Sequence, residues 1–227
     1  MVKVKPKNVF AFRHIKTCCL GVSLHSTNHS GEKLSAVIEY INQNFNNLLI
    51  DLSDTLYSHH YMSLGLSRTE AFFKAQLEGD RWIEENQAIL DKINIPYKIV
   101  RWENWLKHED FQSLYDNFYD LFVTNDVFHE AVMVDIRNYY KRRYNKDVDG
   151  MHHRFLKSSV AYLIEEIACH TLLAREYTDI VNVYPGKQLE CFRVVREGKV
   201  KDAPSGLENF GHIRLCLYET DITPLAA

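Results

Sequence analysis

Three short apolar runs, Thr17 to Ser23, Leu48 to Leu52 and Tyr97 to Trp102, are separated by two stretches whose apolar residues recur at helical spacing. That alternation limits the fold more than any other feature of the chain. Short uninterrupted apolar runs are expected to be strands buried on both faces, and strands that alternate with helices pair in parallel. In the first intervening stretch, Gly31 to Asn44, the residues Leu34, Val37, Ile38 and Ile41 mark one helix face. The second begins at Ser67 and runs to about Asn94, before Pro96, which cannot continue a helix. Phe73, Leu77, Trp82, Ile83 and Ile89 are expected to form its inner face.

Beyond the third run the pattern is helical through Glu103 to Tyr144 and again from His153 to Arg175. Ile180 to Tyr184, Leu189 to Val195 and His212 to Tyr218 read as three late strands. The expected fold is α/β, a Rossmann-like three-layer sandwich with a mainly parallel sheet. In such sheets ligands bind outside the carboxyl ends of the strands. With 227 residues, 46% of them hydrophobic, the chain can bury one sizeable core. One domain spanning 1–227 is expected, with 1–13 as a peripheral N-terminal segment.

No run of about eighteen apolar residues exists, so no membrane span is expected. Met1 to Asn8 is basic but has no apolar stretch behind it, unlike a secretory signal. The five cysteines, Cys18, Cys19, Cys169, Cys191 and Cys216, are odd in number and form no C-x-x-C pair. That usage fits a reducing cytoplasm rather than a disulfide framework. No metal-ligand pattern appears among the eleven histidines, and His59-His60 and His152-His153 read as solvated loop pairs. The net charge of −3 speaks against a protein that grips nucleic acid without discrimination.

Three segments could carry chemistry. The first strand ends in Gly21-Val22-Ser23, and Leu24-His25-Ser26-Thr27-Asn28-His29-Ser30 follows. Either Ser23 is an activated nucleophile, or the polar run only turns the chain and caps the next helix. The pattern is neither a G-x-S-x-G elbow nor a phosphate-binding loop. Tyr162 and Glu166 lie four apart on a helix, so they share a face beside the stripe Leu156, Val160, Leu163 and Ile167. There Glu166 is either a partly buried carboxylate able to hold an ammonium or act as a base, or an exposed residue beside a core tyrosine. Val183-Tyr184-Pro185-Gly186 ends a late strand, at the same sheet edge as Ser23.

Taken in order, Ser23 after Gly-Val, Tyr162 with Glu166, and Tyr184-Pro185 resemble the cyclodipeptide synthase family, from about residue 14 to 220. With Ser26 three residues after the serine, and Pro185 after the tyrosine, the chain resembles the subfamily that has Tyr-Pro late and no Asn at that earlier position. The family's fold resembles the catalytic domain of the tyrosyl and tryptophanyl class I tRNA synthetases, but the ATP-binding signatures of those enzymes are missing here. The resemblance implies a tRNA-dependent enzyme without a cofactor that joins two aminoacyl-tRNA substrates into a cyclic dipeptide. Ser23 would carry the aminoacyl group, Tyr162 and Glu166 would hold its ammonium, and Tyr184 would position the serine or relay a proton. The first aminoacyl pocket is expected near Cys19, Gly21, Ser26, Leu48, Cys169 and Asn182, and its composition favours a polar or aromatic-polar side chain.

The basic helix that some members carry is absent from the segment after Ser67. A tRNA surface is expected instead on Arg137, Lys141, Arg142, Arg143, Lys146, Arg154 and Lys157, with the interleaved tyrosines available to stack on bases. The other reading of this stretch is a solvated helix end whose cations favour its dipole. Neither DNA nor a membrane is an expected partner, and the sequence leaves monomer or homodimer open. Two other functions stay in view: a tRNA- or nucleotide-binding Rossmann-like module without catalysis, and a serine acyl hydrolase using His25 or His29.

Overall fold

The computed structural model describes residues 2–145 and 151–219. Six strands form one sheet: β1 (Val2–Lys7), β2 (Thr17–Val22), β3 (Asn47–Leu52), β4 (Tyr97–Arg101), β5 (Ile180–Tyr184) and β6 (Gly211–Glu219), in the order β1-β6-β5-β2-β3-β4. All neighbours are parallel except β1, which runs antiparallel along β6. Along β1, Val2, Val4 and Pro6 turn inward while Lys3, Lys5 and Lys7 face solvent. Proline and lysines suit an edge strand, where an unpaired ladder must be kept from recruiting another chain.

Helices cover both faces. On one side α1 (Gly31–Asn44) and α3 (Arg68–Leu90) bury Cys18, Leu20, Val22, Leu48, Ile50 and Leu52. The other side carries α4 (Trp102–Leu106), α5 (Phe111–Thr124), α6 (Asp126–Tyr144), α7 (His153–Glu176) and α8 (Glu190–Arg196). A short helix, α2 (Ser58–Ser63), packs against α7 and α3 beyond β3. The chain order places β3 and β4 on one side of β2 and β5 and β6 on the other. Between β2 and β5 the connections diverge, and pairing stops at Cys19↔Asn182. This is the switch point at which doubly wound sheets bind ligands.

Two sequence expectations need correction. Residues Leu189 to Val195 are not a strand; Glu190–Arg196 is a helix. Cys191, Phe192, Val194 and Val195 form an apolar run too dense for its period to separate strand from helix. What starts the helix is remote: Asp135 accepts the backbone N–H groups of Glu190 and Cys191, both at 2.9 Å. The inner face of α3 also differs. Ala71, Ala75, Gly79, Trp82 and Asn86 are buried, whereas Phe73 is 61% and Leu77 50% exposed. Small residues lie inward because the helix comes close to the end of β3 and the start of α4. Its start is fixed by a capping box between Ser67 and Glu70.

At Gly79 that approach is tightest. An added Cβ would lie 2.7 Å from Asp54 Oδ2 and 2.8 Å from Arg101 Nη2. Asp54 is fully buried and accepts from Thr55 N, Trp102 N and the Arg101 guanidinium. Gly79→Ala is expected to lower stability by about 1–3 kcal/mol through overpacking of this ion pair. A urea titration checks it; an unchanged midpoint would mean that α3 shifts without cost.

Candidate active site

Ser23 follows the last residue of β2 and is fixed through its backbone. Its N–H donates to His29 Nδ1 at 2.9 Å, and its carbonyl accepts from Ser26 N at 3.3 Å. His29 is 1% exposed, and its own carbonyl accepts from Trp82 Nε1 at 2.7 Å. Burial pushes the His29 pKa down to about 4, so the ring is neutral, and in the tautomer protonated at Nε2 its Nδ1 accepts from Ser23 N–H. The loop after Ser23 therefore hangs on α3, and the short turn Thr27–His29 presents His29 to it.

At the end of β5 the Tyr184 ring meets His29 edge-on, with centroids 5.4 Å apart. The following turn folds over that ring because residue 186 is glycine: a Cβ there would lie 2.6 Å from Tyr184 Cε1. Asn28 Nδ2 donates to Pro185 O at 3.1 Å and joins the two loops.

From the facing layer, α7 presents Tyr162 and Glu166. Ser23, Tyr162, Glu166 and Tyr184 line one cavity of about 720 Å³, a size suited to a small-molecule group rather than a macromolecule. Glu166 Oε2 is buried and has no hydrogen-bond partner among the described residues. Burial raises the Glu166 pKa to about 7, with His170 opposing the rise. Burial, then the Glu166 charge, pushes Tyr184 up to about 12 and Tyr162 well above its usual value. Both phenols keep their protons at neutral pH and can donate hydrogen bonds.

The remaining expected residues divide. Gly21, Ser26 and Asn182 line the cavity. Cys19 and Cys169 are fully buried beneath it, in the core on the same side of the sheet. Leu48 lies on the opposite face, paired in register with Cys18 and packed toward α1 and α3; strand alternation brings Leu49 and Asp51 to the site's side instead. Arg142 and Arg143 line the cavity. Arg137 is paired with Glu130 at 2.7 Å, while Lys141, Arg154 and Lys157 are exposed. Lys146 lies outside the described residues. The tyrosines of this stretch are not free platforms: Tyr139, Tyr140 and Tyr144 surround Phe155, with centroids 6.2, 5.2 and 5.7 Å away.

Several cavity residues escaped sequence reasoning. His59 and His60 sit on α2 and line the cavity rather than a solvated loop; His59 Nε2 lies 2.9 Å from Glu165 Oε2. Asp51, fully buried, accepts from Trp105 Nε1 at 2.9 Å and faces His170 Nε2 at 3.4 Å. One signal for His170 was available, since it repeats the four-residue step from Tyr162 to Glu166. Neither histidine of the first loop is set up as a hydrolase base. His29 Nδ1 engages the Ser23 backbone, and His25 Nε2 lies 2.7 Å from Glu78 Oε2. Among the described residues no group of three or more His, Cys, Asp or Glu could hold a metal ion.

A family model described as cyclodipeptide synthase matches residues 10–172. No curated protein sequence matches significantly. Among solved structures, a cyclodipeptide synthase from Fluoribacter dumoffii is similar with a TM-score of 0.85 at 24% identity, covering 97% of this chain and 100% of that one. Another, from Candidatus Glomeribacter gigasporarum and bound to Phe-tRNAPhe, gives 0.71 at 17% identity over 92% and 90% of the two chains. Tyrosyl-tRNA synthetase from Archaeoglobus fulgidus, complexed with L-tyrosine, gives 0.50 at 14% identity, over 92% of this chain and 56% of that one. These structural likenesses are likenesses of fold.

Proposed function

Because the chain belongs to the cyclodipeptide synthase family, enzymes that make cyclic dipeptides from aminoacyl-tRNAs, we propose that it does so through an ester on Ser23. The observation that carries this reading is the convergence of Ser23, Tyr162, Glu166 and Tyr184 on one cavity at the switch point.

In the first step Ser23 Oγ attacks the ester carbonyl of an aminoacyl-tRNA. The bond to the terminal ribose breaks, and the serine proton leaves with the ribose hydroxyl. Glu166, with its free buried Oε2, holds the α-ammonium of the acyl group, and Tyr162 shares it. A carboxyl near pKa 7 is also matched to taking one proton from that ammonium, which frees the amine for attack. The amine then attacks the ester of a second aminoacyl-tRNA, releasing its tRNA and leaving a dipeptide on Ser23. The new terminal amine attacks the serine ester, the ring closes, and Ser23 regains its proton. Tyr184, protonated and fixed against His29, donates to the oxyanion that forms at each step. Since the ester is already activated, orientation and proton handling supply the chemistry.

Ser26 and the Tyr184-Pro185 pair support assignment to the Tyr-Pro subfamily. Aminoacyl-tRNA is a cytoplasmic substrate, and no helix among the described residues is long and apolar enough to cross a membrane; we assign the enzyme to the cytoplasm. The test is direct. Purified protein is mixed with bulk charged tRNA and quenched in acid, and the acylated peptide is located by mass spectrometry. The expected adduct sits on the peptide containing Ser23; an adduct elsewhere, or none, sinks this reading.

Arg142 and Arg143, at the cavity, are the cations assigned to the acceptor end of the tRNA. The double change Arg142→Ala, Arg143→Ala is expected to raise KM for aminoacyl-tRNA by roughly tenfold and to lessen the salt slope of log KM by about two. An unchanged KM and slope place the tRNA elsewhere.

A further inference from the structure

The proposed reacting groups occupy only the upper layer of the cavity. On α7, His170 follows Glu166 by one turn, about 6 Å along the axis at roughly 1.5 Å per residue. On β2 and β5, Gly21 and Asn182 precede Ser23 and Tyr184 by two residues, about 6.6 Å along each strand and on the same face. Asp51 pairs in register with Gly21 and also faces His170, so these positions share one level beneath the reacting groups. At that level Gly21 leaves the space open. His170 is 8% exposed, with Nε2 toward Asp51 and Nδ1 without a hydrogen-bond partner among the described residues. Among the described residues Asn182 Oδ1 is likewise buried without a hydrogen-bond partner, while its Nδ2 lies 3.5 Å from His212 Nδ1. Buried polar atoms are nearly always satisfied, so two orphans in one layer of a cavity wall mark where polar atoms of a ligand go.

We propose that this layer receives the side chain of the first amino acid and selects one that ends in a carbonyl oxygen, an amide or a carboxylate. The inference rests on the reading of Ser23 as the acyl carrier. With the acyl carbon on Ser23 and the ammonium at Glu166, the side chain is the one substituent of the α-carbon left to place. The next layer down is the space available to it. Burial opposes charge on His170, but the hydrogen bond and charge of Asp51, together with Glu166, raise its pKa overall. Nδ1 then carries a proton and donates to the side-chain oxygen. Asn182 completes the contact by accepting from an amide NH2 or, with its own amide turned, by donating to a carboxylate. An aliphatic side chain leaves both groups unsatisfied, and sites built to hydrogen-bond a substrate reject analogues that lack the partner.

The experiment offers the purified protein one charged tRNA at a time, covering all the proteinogenic amino acids, and measures the initial rate of acyl transfer to Ser23 by quenched-flow mass spectrometry. One or more of Asn, Gln, Asp and Glu is expected to load about tenfold or more faster than any other amino acid; comparing Asn with Asp and Gln with Glu separates amide from carboxylate. Asn182→Leu, its fold verified by circular dichroism, is expected to shrink that preference by roughly tenfold. Preferential loading by an amino acid without a side-chain carbonyl overturns the inference and leaves Ser23 as the carrier. Acylation of Ser23 by none of them removes the reading beneath it, and the inference with it.

Discussion

Ser23→Ala is expected to abolish cyclic dipeptide formation, by roughly 10³-fold or more, while leaving the fold intact. The two halves of that expectation have separate causes. Among the described residues Ser23 makes its hydrogen bonds through its backbone, which alanine keeps: its N–H and C=O both face His29 Nδ1, and the C=O also accepts from Ser26 N. Thermal stability should therefore change by no more than about 2 °C. Activity has no such cover, because alanine removes the hydroxyl that would carry the acyl group. Expression in a bacterial host tests both, since the host supplies every aminoacyl-tRNA. Cyclic dipeptides in the medium are compared between the native and alanine proteins by mass spectrometry, and melting is followed on purified samples. A folded alanine variant that still releases product would remove the serine from the reaction and direct attention to direct aminolysis between bound substrates.

For Glu166→Gln the expected result is a loss of roughly 10²–10³-fold in kcat/KM together with a gain in stability. Burial raises the Glu166 pKa from the usual 4.5 to about 7. Because the folded-state value lies above the unfolded one, the folded protein binds the extra proton between those two values. Stability falls as pH rises across that window, and the full penalty persists above it. Gln carries no such penalty. The variant should be more stable by about 1–3 kcal/mol at pH 8 and no more stable at pH 4. Activity runs the other way, since the ammonium needs the carboxylate. In the native enzyme kcat/KM should rise with pH through about 7 on the acid limb, and this limb should vanish in the Gln variant. A Gln variant with native kcat/KM, or an unchanged acid limb, would mean that another group holds the ammonium.

How much of this could be read from the sequence depended on how local the determining contacts are. β2, β3, β4 and β5 declare themselves as short apolar runs, and α1 by Leu34, Val37, Ile38 and Ile41, all buried. α8 did not, because its dense apolar run carries no readable period and its start is set by Asp135 on another helix. The inner face of α3 does not follow hydrophobicity. Close packing against Asp54 and Arg101 demanded Ala and Gly there and left Phe73 and Leu77 outside. In the cavity, Ser23, Tyr162, Glu166 and Tyr184 were visible as residues at strand ends and one helix face. Leu48 failed by one step of strand alternation. The Asp51–His170 pair was hidden because its members lie on β3 and α7, and nothing near either residue points to the other.

β1 adds a consequence for how the molecule is made. Val2 pairs with Glu219, and the rest of β1 follows in register along β6. β1, made before the other strands of the sheet, thus waits with its ladder open for β6 to emerge. β5 also waits for β6, whereas the parallel pairs β2–β3, β3–β4 and β2–β5 can close earlier, so the pairing of β1 joins the most distant of these strands. Contacts of such separation slow folding and lengthen the exposure of unpaired edges. The alternating lysines and the proline of β1 guard the nascent chain during that interval, and they go on guarding the outer edge that β1 leaves open once β6 arrives.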